Sequence, residues 1–80
     1  MAAKTDSRAQ IALGDLYATG SGLVPVDGKL AFDLYSKSAK QNNLDAYAKL
    51  GAFYEKGDVV PQNLVAAADA YRMRDLLSKN

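Results

Sequence analysis

The stretch AQIALGDLYATG at residues 9–20 decides the fold, because it returns as AYAKLGAFYEKG at residues 46–57. The two copies share an alanine, a leucine-glycine pair, a tyrosine and a closing glycine, at an offset of 37 residues. A second match follows each copy, since Val24-Pro25 is answered by Val60-Pro61 at an offset of 36 residues. A repeat of this period indicates stacked supersecondary units. The chain is therefore predicted to contain two copies of one unit.

Each unit has the sequence features of a helical hairpin. From Ala9 onward, apolar residues fall at i, i+3, i+4, i+7 and i+8, which is the spacing of one helical face. Gly20 and Gly57 stand where a helix ends on a residue with positive φ. Asp27 and Asn63 precede the next apolar stretch and are predicted to be helix N-caps. We predict helices at residues 7–19, 28–41, 44–56 and 64–78, with Asn42-Asn43 ending the second.

The composition is that of one small globular domain. The 80 residues are 49% hydrophobic and 24% charged, whereas disorder requires low hydrophobicity and high net charge. We expect a single domain over residues 1–80, with repeat 1 at about 7–42 and repeat 2 at about 44–78.

Several classes of function are disfavoured by what the chain lacks. It has no cysteine and no histidine, so zinc and thiol chemistry lose their usual ligands. A net charge of +1 without a basic cluster does not suit a nucleic-acid binder. No apolar run is long enough for a signal peptide or a membrane span. We therefore expect a cytoplasmic protein with no cofactor, no metal, and neither nucleic acid nor membrane as a partner.

The repeated motif carries a family resemblance. Ala-x-x-x-Leu-Gly-x-Leu/Phe-Tyr-x-x-Gly, then Val-Pro-x-Asp/Asn, then x-Ala-x-Asp-x-Tyr resembles the SEL-one-like repeat, a relative of the tetratricopeptide repeat, over about residues 9–76. The resemblance implies an all-α fold, an α-solenoid of two antiparallel helix-turn-helix repeats whose inner curve binds proteins. The family often has a tryptophan where this chain has Leu34 and Ala70. We therefore expect the second hairpin to be less well packed.

No group of residues suggests catalysis, and the chain is predicted not to be an enzyme. The acidic residues lie at helical spacing from basic ones and are interpreted as surface pairs. These pairs are Asp15 with Arg8, Asp33 with Lys37, Asp69 with Arg72, and Asp75 with Lys79.

The first hypothesis is a protein–protein interaction module, acting as an adaptor, a scaffold or a small regulator or inhibitor. Tyr17, Tyr35, Tyr54 and Tyr71 occupy matching repeat positions and are interpreted as structural, whereas Tyr47 replaces Gln10 and is a candidate anchor. The predicted partner-binding strip comprises Gln10, Ile11, Asp15, Tyr47, Ala48, Ala52 and Glu55. The alternative is that Ile11 and Tyr47 pack against the neighbouring repeat.

The second hypothesis is a homodimer formed through the last helix. Two stacked repeats are few for this type of fold, and Met73, Leu76 and Leu77 are expected to stay exposed if nothing stacks on them. A second copy could cover them. The alternative is that they fold back on Phe53 and Tyr54.

Overall fold

The computed structural model describes residues 6–79, which form four α-helices and no β-strand. The helices are α1 (Ser7–Thr19), α2 (Gly28–Ala39), α3 (Leu44–Lys56) and α4 (Leu64–Ser78). Three of the four predicted ranges are confirmed to the residue, and α2 ends two residues earlier than predicted. In this part of the chain no helix is both long and apolar enough to cross a membrane.

The helices pack in chain order, so that α2 lies between α1 and α3 and joins the two hairpins. The best buried residues therefore belong to α2, where Ala31, Tyr35, Ser38 and Ala39 are all buried. In contrast, the buried side chains of α4 are two alanines. The difference follows from position, because α2 has a helix on each side and α4 packs mainly on α3. That the second hairpin is less well packed stays a prediction.

An aromatic cluster holds the two hairpins together. The ring of Phe32 on α2 lies edge-on to the rings of Phe53 and Tyr54 on α3, with 5.7 Å between centroids in each case. The Tyr35 ring lies 5.8 Å from that of Phe53. Edge-to-face aromatic pairs at this separation stabilise beyond their buried area, by about 0.5–1.5 kcal/mol each. The face of α2 that carries Phe32 therefore supplies the main contact between repeats.

Polar side chains begin the helices as the sequence predicts. The carboxylate of Asp27 accepts a hydrogen bond from the Leu30 N–H at 3.1 Å. The side chain of Asn63 accepts one from the Ala66 N–H at 3.0 Å. Such caps satisfy donors that the first helical turn leaves unpaired.

The prediction that Asn42-Asn43 ends α2 is wrong, because Asn43 begins α3. Its side chain accepts hydrogen bonds from the N–H groups of Asp45 and Ala46, at 2.9 and 3.3 Å. The chain turns at Asn42, which has a φ of 62°, a conformation that asparagine tolerates better than most residues. The helix α2 ends earlier, at Ala39. The two asparagines instead form the turn and the N-cap of α3.

The two loops between paired helices differ in shape. Gly20 and Gly57 both have positive φ, at 74° and 73°, and donate their N–H groups to carbonyls one turn earlier. The ψ of Gly57 is 28°, which is left-handed helical, whereas that of Gly20 is 151°. Of these two helices, only α3 therefore ends in the left-handed conformation.

Leu13 and Leu16 lie on the predicted apolar face of α1, yet 43% and 41% of their surface is exposed. Their counterparts on α3, Leu50 and Phe53, are half-buried beside α2. The difference arises because no helix among the described residues covers this side of α1.

Gly14 and Gly51 are required by a close approach between helix and tyrosine ring. A Cβ atom on Gly14 would lie 2.8 Å from Cε1 of Tyr35, and one on Gly51 would lie 2.7 Å from Cε1 of Tyr71. Both distances are well inside van der Waals contact. The leucine-glycine pair of the repeat thus makes room for the tyrosine of the second helix.

We expect Gly14→Ala to lower the free energy of unfolding and Gly51→Ala to be close to neutral. Overpacking costs about 1–3 kcal/mol, and alanine returns up to about 1 kcal/mol of helix propensity. The Tyr35 ring is buried and cannot move aside, whereas the Tyr71 ring is half-buried and can. Urea unfolding followed by circular dichroism measures both, and equal effects would contradict this account.

Candidate functional site

An open groove of about 510 Å³ lies between α1 and α3. We call it the α1–α3 groove. Its apolar lining comes from both helices and from the α1–α2 and α3–α4 loops: Ala18, Val26, Ala52, Phe53 and Val59. A concave apolar surface with a few polar groups is the usual form of a ligand site.

Gly28 allows the loop between α3 and α4 to pack against repeat 1. A Cβ atom at Gly28 would lie 2.6 Å from Cγ2 of Val59, so the valine packs directly on the first turn of α2. Both residues line the groove. The loop that follows α3 is thereby held against repeat 1.

The charged lining consists of two ion pairs. Lys49 Nζ lies 3.3 Å from Asp15 Oδ1, and Lys56 Nζ lies 3.6 Å from Asp58 Oδ2. All four side chains are substantially exposed, and such pairs contribute at most about 1 kcal/mol each. They can therefore exchange partners with charges on a ligand at small cost.

Asp15 joins three helices at the edge of the groove. Its carboxylate accepts a hydrogen bond from the hydroxyl of Tyr35 on α2 and pairs with Lys49 on α3. Burial, together with the hydrogen bond and negative charge of Asp15, raises the pKa of Tyr35 above its ordinary value. The tyrosine therefore stays protonated and donating over a wide pH range.

Repeat 2 contains the same type of hydrogen bond with a different acceptor. The hydroxyl of Tyr71 donates to Glu55 Oε1 at 3.0 Å. Burial and the Glu55 carboxylate raise the pKa of Tyr71, against the smaller opposing effect of Arg74.

The change of acceptor alters the lining of the groove. At the 37-residue offset, Asp15 corresponds to Ala52 and Glu55 corresponds to Ala18. The acceptor has therefore moved by three residues, about one helical turn, between the repeats. Each first helix consequently keeps one alanine that lines the groove.

The structure brings together only part of the predicted binding strip, since Asp15 and Ala52 line the groove and the other members do not. The placement of Gln10 on a presented surface is wrong, because Gln10 is buried and accepts a hydrogen bond from Gln41 Nε2 at 2.9 Å. Glu55 is exposed but engaged by Tyr71. The remaining members, Ile11, Tyr47 and Ala48, are half-buried.

Tyr47 occupies a position that favours a structural role. It corresponds to Gln10, and Leu77 corresponds to Gln41, the hydrogen-bonding partner of Gln10. Tyr47 and Leu77 are both half-buried. The positions of the hydrogen-bonded glutamines of repeat 1 are thus occupied by half-buried Tyr47 and Leu77 in repeat 2.

Sequence reasoning missed the two lysines and the loop residues of the groove. Lys49, Ala52 and Lys56 lie at i, i+3 and i+7, so they share one face of α3, and this spacing could have identified them. Val26, Asp58 and Val59 enter from loops, for which the sequence has no comparable signal. Within residues 6–79, no three acidic, histidine or cysteine side chains group closely enough to hold a metal ion.

The predicted surface pairs are only partly observed. Asp69 and Arg72 form an ion pair at 3.3 Å. Asp15 pairs with Lys49 rather than Arg8, and Asp75 pairs with Arg74 rather than Lys79. A tertiary neighbour has therefore replaced Arg8 as the partner of Asp15, and an adjacent residue has replaced Lys79 as the partner of Asp75.

We expect Tyr35→Phe to lower the free energy of unfolding by about 0.5–1.5 kcal/mol at neutral pH, the net worth of one hydrogen bond. An unfolded tyrosine loses its proton near pH 10, whereas folded Tyr35 holds it to higher pH. The stability that Tyr35 contributes is complete below about pH 10 and is lost as the pH rises through its folded pKa. Urea unfolding from pH 7 to 11 should show the two proteins converging, and parallel profiles would contradict this.

Comparison with known proteins agrees with the repeat and its geometry. The family model of the Sel1 repeat matches residues 7–43 and 44–69. A crystal structure of a Sel1 repeat protein from Oxalobacter formigenes superimposes with a TM-score of 0.81 and 37% sequence identity over 85% of this chain. The chain spans 28% of the length of that protein. No curated protein matches. The chain belongs to the Sel1 repeat family, a non-catalytic repeat type that generally mediates protein–protein interactions.

Proposed function

We propose that this protein is a non-enzymatic interaction module that binds a short segment of a protein partner in the α1–α3 groove. The observation that carries the proposal is the open groove of about 510 Å³ between the first helices of the two repeats. Adaptor, scaffold and small inhibitor are all roles that one such groove can serve.

The lining indicates what kind of segment would bind. Ala18 and Ala52 leave space for an apolar side chain, and Val26 and Val59 provide an apolar surface from the loops. Lys49 and Asp58, each in an exposed ion pair, lie among these residues and can pair with charges of either sign. The best ligand is therefore a peptide with an apolar anchor flanked by charged residues.

We expect Ala52→Arg to block the groove without disturbing the fold, because Ala52 is exposed on α3. Peptides selected from a short random library on the wild-type protein should bind the variant at least about tenfold more weakly, a typical loss at an interface centre. Fluorescence anisotropy with a labelled selected peptide measures the affinity.

Ala68→Arg is the matched control, since it makes the same change at an exposed alanine of α4 and should leave the affinity unchanged. Tyr47→Ala tests the predicted anchor outside the groove. Failure to select any peptide, or equal binding to both arginine variants, would contradict the groove proposal. A loss confined to Tyr47→Ala would move the site to that part of α3.

A second candidate function is a homodimer formed through α4. Leu76 is 52% exposed and Met73 is 37% exposed, which leaves an apolar surface of the kind that a second copy could cover. Leu77, the third predicted member, is half-buried and less available.

The homodimer candidate predicts twice the 8.6 kDa chain mass in light scattering, and Leu76→Asp should restore the monomer. A buried aspartate would face the apolar surface of the other copy and disfavour association. Leu23→Asp is the control, because Leu23 is fully exposed in the first interhelical loop. A wild-type monomer throughout a concentration series would exclude this candidate.

A further inference from the structure

The side of α1 directed away from α2 is an apolar helix face that the described residues leave uncovered. Ala9 and Ala12 are exposed, and Leu13 and Leu16 are exposed by 43% and 41%. We call Ala9, Leu13 and Leu16 the α1 outer face. None of them lines the α1–α3 groove, so an inference about this face is independent of the function proposed above.

The repeat itself shows what covers such a face. At the 37-residue offset, the α1 outer face corresponds to Ala46, Leu50 and Phe53 on α3. Ala46 is fully buried and the other two are half-buried, because α2 packs there. The same arrangement of small and large apolar residues is thus a covered helix-binding surface in one repeat, whereas in the other repeat residues 6–79 leave it uncovered.

The covering helix has a specific pattern. Phe32 and Tyr35 of α2 direct their rings to Phe53, and Phe32 also meets Tyr54, with centroid distances of 5.7 to 5.8 Å. On α1 the residues equivalent to Phe53 and Tyr54 are Leu16 and Tyr17. An aromatic side chain from an approaching helix would therefore meet a leucine and a tyrosine.

We propose that the α1 outer face binds an amphipathic helix of a partner protein that carries an aromatic residue at the position of Phe32. Helix-in-groove recognition of this type uses anchors spaced at i, i+3, i+4 and i+7. The anchors of α2 follow that spacing, with Phe32, Tyr35 and Ala39 on the side facing α3 or the core.

A second copy of this chain does not present such a helix. The copy's α2 is occupied by its own α1 and α3. On α4, the position of Phe32 is Ala68, that of Ala39 is Asp75 and that of Gly28 is Leu64. The last helix thus lacks the aromatic anchor and has a charge and a bulky side chain where α2 has small residues. This also disfavours head-to-tail stacking of copies, which would build open filaments.

The test uses the full chain and a peptide copy of α2, residues 27–40, as the probe. Isolated helices of this length are marginal in water, so the peptide is closed by a lactam between Asp33 and Lys37. These residues are four apart and both exposed on α2, so the bridge stays off the contact face. Nuclear magnetic resonance on the isotopically labelled protein should show peptide-dependent shifts concentrated on α1.

One substitution in the peptide and one in the protein test whether the peptide binds the α1 outer face. The Phe32→Ala version of the peptide should bind at least about tenfold more weakly, as expected for loss of a central aromatic anchor. Leu16→Asp in the protein should abolish binding, whereas Leu64→Asp, the same change at an exposed leucine of α4, should not. Circular dichroism checks the fold of each variant, and Leu13→Lys replaces Leu16→Asp if the latter is unfolded.

Several results would overturn the proposal. The bridged peptide would fail to bind, or its shifts would be confined to α3, α4 or the α1–α3 groove. Alternatively, the Phe32→Ala peptide would bind as tightly as the parent peptide, or the wild-type protein would form a dimer that Leu16→Asp dissociates. The last result would assign the face to a second copy. The Ala52→Arg variant should bind the α2 peptide like the wild type, so failure of this proposal and failure of the groove proposal are distinguishable.

Discussion

The contact between Tyr35 and the first repeat helix is the constraint on which the rest of the structure depends. The ring lies so close to Gly14 that a Cβ atom there would come within 2.8 Å of it, and the hydroxyl donates to Asp15 one residue further along α1. The same ring contacts Phe53 across the repeat boundary. One side chain thus sets the distance between α1 and α2 and the approach of α3, which is why it lies at the centre of a small core.

The second repeat reproduces this contact with different polar chemistry. Tyr71 packs on Gly51 as Tyr35 packs on Gly14, but its hydroxyl reaches Glu55 because the position equivalent to Asp15 is Ala52. The close approach of glycine and tyrosine ring therefore repeats, whereas the acceptor can lie on either of two successive turns. This freedom shapes the surface, since alanines remain at Ala18 and Ala52 and the groove opens between them.

The two ends of the helix stack are chemically unequal. At α1, Leu13 and Leu16 retain the apolar pattern that α3 buries under α2. At α4, Ala68 and Asp75 replace the aromatic and small residues through which α2 makes its contact. The α1 outer face is therefore the more suitable surface for another helix. The α1–α3 groove is the more suitable surface for an extended segment.

The sequence by itself determined the number of helices, their order and, apart from the C-terminal end of α2, their bounds, because periodic apolar residues, glycines at helix ends and the Asp27 and Asn63 caps are local signals. It also identified the repeat and its structural tyrosines. Only the tertiary structure decided which surfaces are buried. Gln10 was predicted to be presented but is buried against Gln41, and Lys49 lies beside Asp15, 34 residues away in the chain. Burial and pairing across helices depend on how each helix is rotated against its neighbours, and no single helix contains that information.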